Sequence, residues 1–303
     1  MSTEETRLTE EIKESVDPEV PEKADSEKKP SKLSAFISGV KRRMTKRNLT
    51  ILGILASVIV LIFGVVYLAT PAYKTIPDGD GGVIIIGYHA MKLHGQNLYI
   101  PGEIDGKRVT GISSFAFKDF DRVVNVVIPS TVTFIGDSAF EDCSLLVTVS
   151  IPDSVISIGN SAFQGCRRLS GVTIPNSVVS IGDKAFYYCV NLTKVVIPDS
   201  VTGIGSYCFS HCRKLESVTL SKNMTVIPDH AFYYCDKLTT IELHEGITSI
   251  GASAFGDCSK LAHISVPKSV IFIGNNAFPS KTVITYFIGS YTETWCRENG
   301  LID

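Results

Sequence analysis

The stretch FQGCRRLSGVTIPNSVVSIGDKAF, residues 163–186, contains one complete period of the pattern that fills most of this chain. Val172 and Ile174 alternate with polar residues, which is the period of a half-buried β-strand. Pro175 ends that strand because proline has no backbone N–H to donate to a neighbouring strand. The first half of the period therefore predicts a short strand with one buried face.

The second half of the period predicts a return segment and a turn. Val178 and Ile181 begin a second inward-facing segment, and Gly182 permits a turn into residues 183–186. Asp, Asn or Ser in this segment suits the start of a short helical turn. One period thus forms a closed coil of strand, return segment and helical turn.

The period repeats every 23 residues without slippage. The core phenylalanines are Phe117, Phe140, Phe163, Phe186, Phe209, Phe232, Phe255 and Phe278. A cysteine follows three residues after most of them: Cys143, Cys166, Cys189, Cys212, Cys235 and Cys258. A fixed period of this length indicates a solenoid, in which each unit buries its apolar face only against its neighbours. We therefore expect a buried phenylalanine column beside a parallel sheet with strands ~4.8 Å apart.

The cysteine ladder has two interpretations, buried free thiols or disulfides between coils. Equivalent Cα atoms at ~4.8 Å fall within the range that a disulfide tolerates. Parallel side chains in register fit the preferred S–S torsion poorly, so we favour free thiols. Cys208 and Cys212 lie four residues apart, without the histidines or second cysteine pair of a zinc site, so no metal is expected. Cys296 is expected to be the most exposed thiol.

The N-terminal part of the chain has a different composition. Residues 1–48 are rich in Glu, Asp, Lys and Pro, which predicts a disordered tail. Residues 49–70 carry no charge and reach roughly 30 Å as a helix, enough to span a bilayer. A buried core helix or a cleaved signal peptide is disfavoured by the length and position of this run, although cleavage near residues 69–72 stays open. Residues 71–78 are interpreted as a linker.

The flanking charges predict the orientation of this span. The basic residues on its N-terminal side are Lys41, Arg42, Arg43, Lys46 and Arg47. Lys74 is the only basic residue close to its C-terminal side. The positive-inside rule therefore predicts a cytoplasmic N-terminus and extracellular repeats at the plasma membrane.

The repeat itself carries a family resemblance. The pattern L-x-x-V-x-I-P-x-S-V-x-x-I-G-x-x-A-F-x-x-C resembles the BspA-like, Treponema-type leucine-rich repeat. Residues 80–88 and 98–109 resemble the opening unit of that family, and residues 289–300 resemble its closing helix. Capping of both ends is what a soluble solenoid needs. The fold class is accordingly a β-rich leucine-rich-repeat solenoid with short parallel strands and short helical turns, preceded by one transmembrane helix.

The resemblance divides the remaining chain into three parts. Residues 79–112 form the N-terminal capping unit and first repeat, residues 113–284 the repeats and residues 285–303 the C-terminal cap. Near Met224, Ser221 and His244 replace the strand-ending proline, and Pro228 replaces the turn glycine. We interpret this irregularity as sequence drift rather than a site. The resemblance implies a cell-surface protein that binds other proteins, often in adhesion.

Paired tyrosines are the best candidates for a contact surface. Tyr187 and Tyr188 occupy the same repeat positions as Tyr233 and Tyr234, two coils away, which predicts a separation of roughly 10 Å along one edge. Tyrosine is favoured at interfaces because it combines apolar area with a hydroxyl. Alternatively, one ring of each pair packs beneath the turn. The outward strand positions, small and polar, are Thr148, Ser150, Thr173, Lys194, Val196, Ser217, Thr219, Thr240, Glu242, His263 and Ser265.

The sequence gives no pattern for catalysis, a cofactor or nucleic acid. The histidines fall at unrelated repeat phases, the glycines recur only with the turn, and no nucleophile lies beside a base. The formal charge of −2 provides no basic surface of the kind that duplex binding needs. We expect a membrane-anchored adhesive protein whose ligand is an unidentified protein. The alternatives are a sensor or assembly scaffold acting through the tail, and a structural envelope protein without a ligand.

Overall fold

The computed structural model describes residues 72–89 and 95–302. The predicted tail and membrane span at residues 1–48 and 49–70 lie outside these described residues. Within the described part, no helix has both the length and the apolar character needed to cross a bilayer.

Five strands form the N-terminal cap. They are β1 (Tyr73–Pro77), β2 (Val83–Tyr88), β3 (Asn97–Tyr99), β4 (Glu103–Ile104) and β5 (Lys107–Ile112). β1 pairs antiparallel with β2, and β2 pairs parallel with β5. β4 and β5 form a hairpin that turns at Asp105 and Gly106, both at positive φ, as a two-residue turn with this twist requires. β1 lies within the residues that the sequence interpretation treated as a linker.

Each following coil contributes two short strands. The first strands are β6 (Asn125–Val127), β8 (Thr148–Ser150), β10 (Gly171–Val172), β12 (Lys194–Val196), β14 (Ser217–Thr219), β16 (Thr240–Ile241), β18 (His263–Ser265) and β20 (Val283–Thr285). The second strands are β7 (Phe134–Ile135), β9 (Ser157–Ile158), β11 (Ser180–Ile181), β13 (Gly203–Ile204), β15 (Val226–Ile227), β17 (Ser249–Ile250) and β19 (Phe272–Ile273). Ser180 pairs with Ser157 on one side and Gly203 on the other, so the register advances by one period per coil. The parallel solenoid predicted from the repeat is confirmed.

The segment expected to form a short helical turn is a run of tight turns instead. Ala139 donates its backbone N–H to Gly136 within the coil, whereas Phe140 donates to Ala162 of the next coil. Ser138 and Asp142 take positive φ values of 53° and 56°, outside the range of a right-handed helix. Because alternate N–H groups point along the solenoid, the segment forms a third line of hydrogen bonds between coils.

The phenylalanine column predicted from the period runs through the core. Rings in successive coils stack with centroids 5.2 to 5.9 Å apart, and those from Phe117 to Phe255 are fully buried. Tyr88 stacks on Phe117 at 5.6 Å at one end. Trp295 meets Phe278 edge-on at 5.9 Å at the other. Trp295 belongs to α1 (Tyr291–Glu298), whose first turn is capped by the Ser290 side chain accepting from the Glu293 N–H.

The irregular repeat interrupts one sheet. Elsewhere the turn glycine donates its N–H to the preceding coil, as Gly205 does to the carbonyl of Ile181 at 2.9 Å. Pro228 has no N–H, and the sheet of second strands ends at β13 and resumes at β15. Ser221 is buried and donates to the carbonyl of Val201 at 2.6 Å, and His244 contacts the carbonyl of Ser221 at 2.9 Å. These replacements are thus hydrogen-bonded parts of the coil.

Candidate protein-binding surfaces

Aromatic side chains gather on the turn edge of three consecutive coils. We name this group the tyrosine–histidine cluster, and its members are Tyr187, Tyr188, Tyr207, His211, His230, Tyr233 and Tyr234. All of these residues are half-buried. The cluster therefore offers ring edges and polar tips to a partner while its packing holds the rings in place.

Two short ring columns run along the solenoid within this cluster. Two residues after the core phenylalanine, Tyr188 stacks on His211 with centroids 4.4 Å apart, and His211 lies 4.9 Å from Tyr234. Two residues before it, Tyr207 stacks on His230 at 4.4 Å. The columns form because equivalent positions of neighbouring coils are stacked directly on one another.

Edge-on contacts join these columns. Tyr187 meets Tyr188 at 4.7 Å and Tyr207 at 6.4 Å, and Tyr233 meets His230 at 5.2 Å. The predicted tyrosine pairs therefore belong to one continuous group of rings, connected through the coil between them. Both rings of each pair are half-buried, so each packs partly against its neighbours and keeps part of its surface open.

Sequence reasoning missed the intervening coil. The histidines were interpreted as unrelated in phase, yet His211 lies one period after Tyr188 and His230 one period after Tyr207. The signal was present, because a histidine and a tyrosine at one repeat position both supply a flat ring. A search for aromatic character by phase, rather than for tyrosine alone, would have found them.

The surroundings of His211 and Tyr233 favour the neutral forms of both side chains. Burial, assisted by Arg213, lowers the pKa of His211, and Asp236 opposes this only in part. The His211 Nδ1 lies 2.9 Å from the Ser210 hydroxyl. Burial and a hydrogen bond with Asp257 raise the pKa of Tyr233 to about 12, so its hydroxyl stays protonated. A surface of rings that carry hydroxyl groups and imidazole nitrogens suits a mixed apolar and polar protein contact.

The outward face of the first strands, which we name the strand face, is a second candidate surface. Its outward residues from Thr148 to Ser265 are exposed or half-buried and alternate with inward residues that are buried, except for the half-buried Val172. A hollow of ≈ 600 Å³ lies on this face, and Lys194 and Glu242 are among its lining residues. His263 is exposed on β18 but is not part of the lining.

The ladder cysteines are buried free thiols. Each Sγ donates to the carbonyl of a phenylalanine in the preceding coil, as Cys143 does to Phe117 at 3.2 Å. Burial raises the pKa of Cys143 to about 12, so this thiol is a poor nucleophile. The expectation that Cys296 is exposed is wrong, because α1 turns this side chain against the core and leaves 1% of it accessible. Among the described residues, no group of His, Cys, Asp or Glu could hold a metal ion.

The comparisons with known proteins agree with this architecture. Among solved structures, a leucine-rich repeat protein of T. pallidum is 28% identical, with a TM-score of 0.50, and the match covers 76% of this chain and 95% of that one. A leucine-rich repeat protein from Bacteroides ovatus is 27% identical, with a TM-score of 0.56 and coverage of 73% and 67%. A leucine-rich cell surface protein from Faecalibacterium prausnitzii is 26% identical, with a TM-score of 0.54 and coverage of 72% and 76%. No curated protein matches the sequence.

A family model covers the repeats directly. The model of the BspA type leucine-rich repeat region matches in 6 copies, over residues 103–202 and 179–294. These ranges together span more than half of the chain and coincide with the stacked coils. Neither this match nor the similar structures indicate an enzymatic family. The chain belongs to the BspA-type leucine-rich repeat family.

Proposed function

We propose that this protein is anchored in the plasma membrane through residues 49–70 and binds a protein ligand outside the cell in an adhesive contact. The tyrosine–histidine cluster is the observation that carries the proposal for binding. It concentrates tyrosine on one edge, and tyrosine is enriched where interfaces derive most of their binding energy. Its rings are held by mutual packing, so little side-chain entropy is lost when a partner binds.

The strand face forms the second part of the proposed contact. Its hydroxyl side chains, with Lys194 and Glu242 at the hollow, provide hydrogen-bond partners and one charge of each sign. Such a face adds complementarity around an aromatic centre rather than most of the affinity. The similarity to a leucine-rich cell surface protein from Faecalibacterium prausnitzii supports an extracellular location for the solenoid.

The binding proposal is tested with cells that express the full chain. Attachment is counted on wells coated with matrix proteins and on layers of neighbouring cells. We expect Tyr188→Ser with Tyr234→Ser to weaken attachment about thirtyfold or more, because a single hot-spot tyrosine contributes ~2 kcal/mol. The matched control is Tyr99→Ser with Tyr291→Ser, which removes exposed tyrosines elsewhere. An equal loss in both variants, at equal surface expression, would contradict the cluster as the contact.

The membrane topology is tested separately by protease treatment of intact cells that carry tags at both ends. We expect the C-terminal tag to be lost and the N-terminal tag to be protected, because the basic residues before position 49 favour the cytoplasmic side. Protection of both tags until the cells are permeabilised would place the solenoid inside the cell. That result would remove the adhesive interpretation and favour an intracellular scaffold.

A further inference from the structure

A row of basic side chains runs beside the tyrosine–histidine cluster. Its members lie four or five residues after the core phenylalanines, and we name them the basic ridge: Arg167, Arg168, Arg213, Lys214, Lys237 and Lys260. All six are exposed. Lys214, Lys237 and Lys260 occupy one repeat position in three consecutive coils, so they form a straight line along the solenoid.

The ridge is locally positive on a chain whose formal net charge is −2. Among the described residues, its one ion pair joins Arg213 to Asp236 at 4.0 Å. Two further carboxylates lie close to the ridge along the sequence: Glu216, two residues after Lys214, and Asp257, three residues before Lys260. The three lysines are therefore available to anionic groups of a ligand.

We infer that the basic ridge binds a sulfated polysaccharide chain that lies along the solenoid. With coils ~4.8 Å apart, the ridge extends roughly 19 Å from the coil of Arg168 to that of Lys260. A row of this length matches an extended ligand with repeated charges better than a small anion. Flexible lysine side chains can follow anionic groups whose spacing differs from that of the coils.

The neighbouring surface favours a polysaccharide over a nucleic acid. Thr193, Thr239 and Thr240 are exposed next to the ridge. The hydroxyls of Thr193 and Thr239 donate to backbone carbonyls of the preceding coil, and their oxygens can still accept from sugar hydroxyls. Single-stranded nucleic acids are normally held by open aromatic faces on which bases stack. Here Tyr188 and His211 stack on each other with ring centroids 4.4 Å apart, so their facing sides are not open to a base.

The test uses the full chain in uncharged detergent micelles and immobilised heparin as the probe. We expect binding that weakens steeply as sodium chloride is raised, because it depends on charge contacts. The triple variant Lys214→Ser, Lys237→Ser, Lys260→Ser should bind about tenfold more weakly, from three exposed charge contacts. Replacing the same lysines with arginine should retain binding, and circular dichroism checks that each variant is folded.

The matched control removes the same charge elsewhere, with Lys222→Ser, Lys268→Ser and Lys281→Ser. These lysines are exposed at other repeat positions, so heparin binding should stay close to that of the unmodified protein. Desulfated heparin and polyuridylate serve as competing ligands and should bind far more weakly than heparin. Absence of heparin binding at ~0.15 M salt, equal loss in both triple variants, or equal binding of either competitor would overturn the inference.

Discussion

Each ladder cysteine provides a hydrogen-bond donor to a buried backbone carbonyl at the turn. The phenylalanine carbonyl of the preceding coil points into the core, where an unpaired acceptor would be costly. A thiol is small and largely apolar, yet its S–H donates weakly to that carbonyl, as Cys189 does to Phe163 at 3.2 Å. The ladder is therefore explained by packing and hydrogen bonding, without disulfides or metal.

This burial predicts that the protein loses stability at alkaline pH. The ordinary thiol pKa of 9.0 is raised to about 12 for Cys143 in the folded state. Above pH 9 the unfolded thiol loses its proton while the folded one keeps it, so the stability contribution is lost as pH rises from 9 towards 12. Each such thiol should cost up to ~1.4 kcal/mol per pH unit in this window.

Urea unfolding at pH 7 and pH 10 measures this effect. We expect a much lower unfolding midpoint at pH 10, and a smaller difference between the two pH values in Cys143→Ala than in the unmodified protein. Since Cys143→Ala also leaves a small cavity, the informative quantity is the pH dependence and not the absolute stability. Equal stability at both pH values would contradict buried, protonated thiols.

At the scale of elements, the junction between the second strand and the turn is the tightest point of the coil. A Cβ added to Gly159 would lie 2.7 Å from the backbone nitrogen of Asp137 in the preceding coil. The residue that follows the turn glycine links each coil to the next. Asp137 Oδ1 accepts from the Asn160 N–H, and Asn160 Oδ1 accepts from the Asp183 N–H. The glycine allows the close approach that these bonds require.

Gly159→Ala should therefore destabilise the solenoid by about 1–3 kcal/mol, because the added methyl meets backbone that cannot move aside alone. Gly171→Ala is the matched control, since a Cβ at that exposed strand position meets nothing within 4 Å. It should leave stability within about 0.5 kcal/mol of the original value. Thermal unfolding of both variants measures the difference, and an equal change in the two would refute the close-approach argument.

The elements differ in how well the sequence predicts them. The first strand follows from the alternation around Val172, and the stacking follows from the exact period. The prediction of a short helical turn was wrong. In an isolated segment, Ala-Phe preceded by Asp or Ser is typical of a helix start. Its backbone N–H groups have alternative acceptors in the next coil, as Phe140 has in Ala162, and those contacts depend on the stacked solenoid.

The stability of the whole solenoid depends on covering both ends of the phenylalanine column. Each coil buries its phenylalanine only against its neighbours, so the terminal rings need other partners. Tyr88 provides one on Phe117, and Trp295 of α1 provides the other on Phe278. Trp295 keeps 8% of its surface accessible, so the cap is nearly closed.

Trp295→Ala should lower stability by about 3–5 kcal/mol and promote self-association, because it uncovers Phe278 at an open sheet end. Tyr291→Ala changes an aromatic side chain of the same helix that is 38% exposed, so it should have little effect on either property. Urea unfolding and light scattering after gel filtration measure the two effects. A monomeric, fully stable Trp295→Ala protein would show that the cap is dispensable.

At this scale the candidate sites are predictable only where residues repeat in identity. Tyr187, Tyr188, Tyr233 and Tyr234 were found because one dipeptide recurs in phase. The lysines of the basic ridge could have been found in the same way, because Lys214, Lys237 and Lys260 also recur with the period. His211 and His230, by contrast, share only their ring character with the tyrosines of the neighbouring coils. A site whose residues share a chemical property but not an identity becomes visible once equivalent positions of the coils are superposed.

The constant period also has a consequence for the gene. Because the internal coils, apart from the one with Pro228, present the same phenylalanine, cysteine and glycine contacts to both neighbours, recombination between two equivalent codons of these coils removes or adds whole coils and regenerates each junction. Caps at the two ends are left unchanged by such an event. The length of the displayed surface can therefore vary between descendants of this gene while the rules of its folding stay the same.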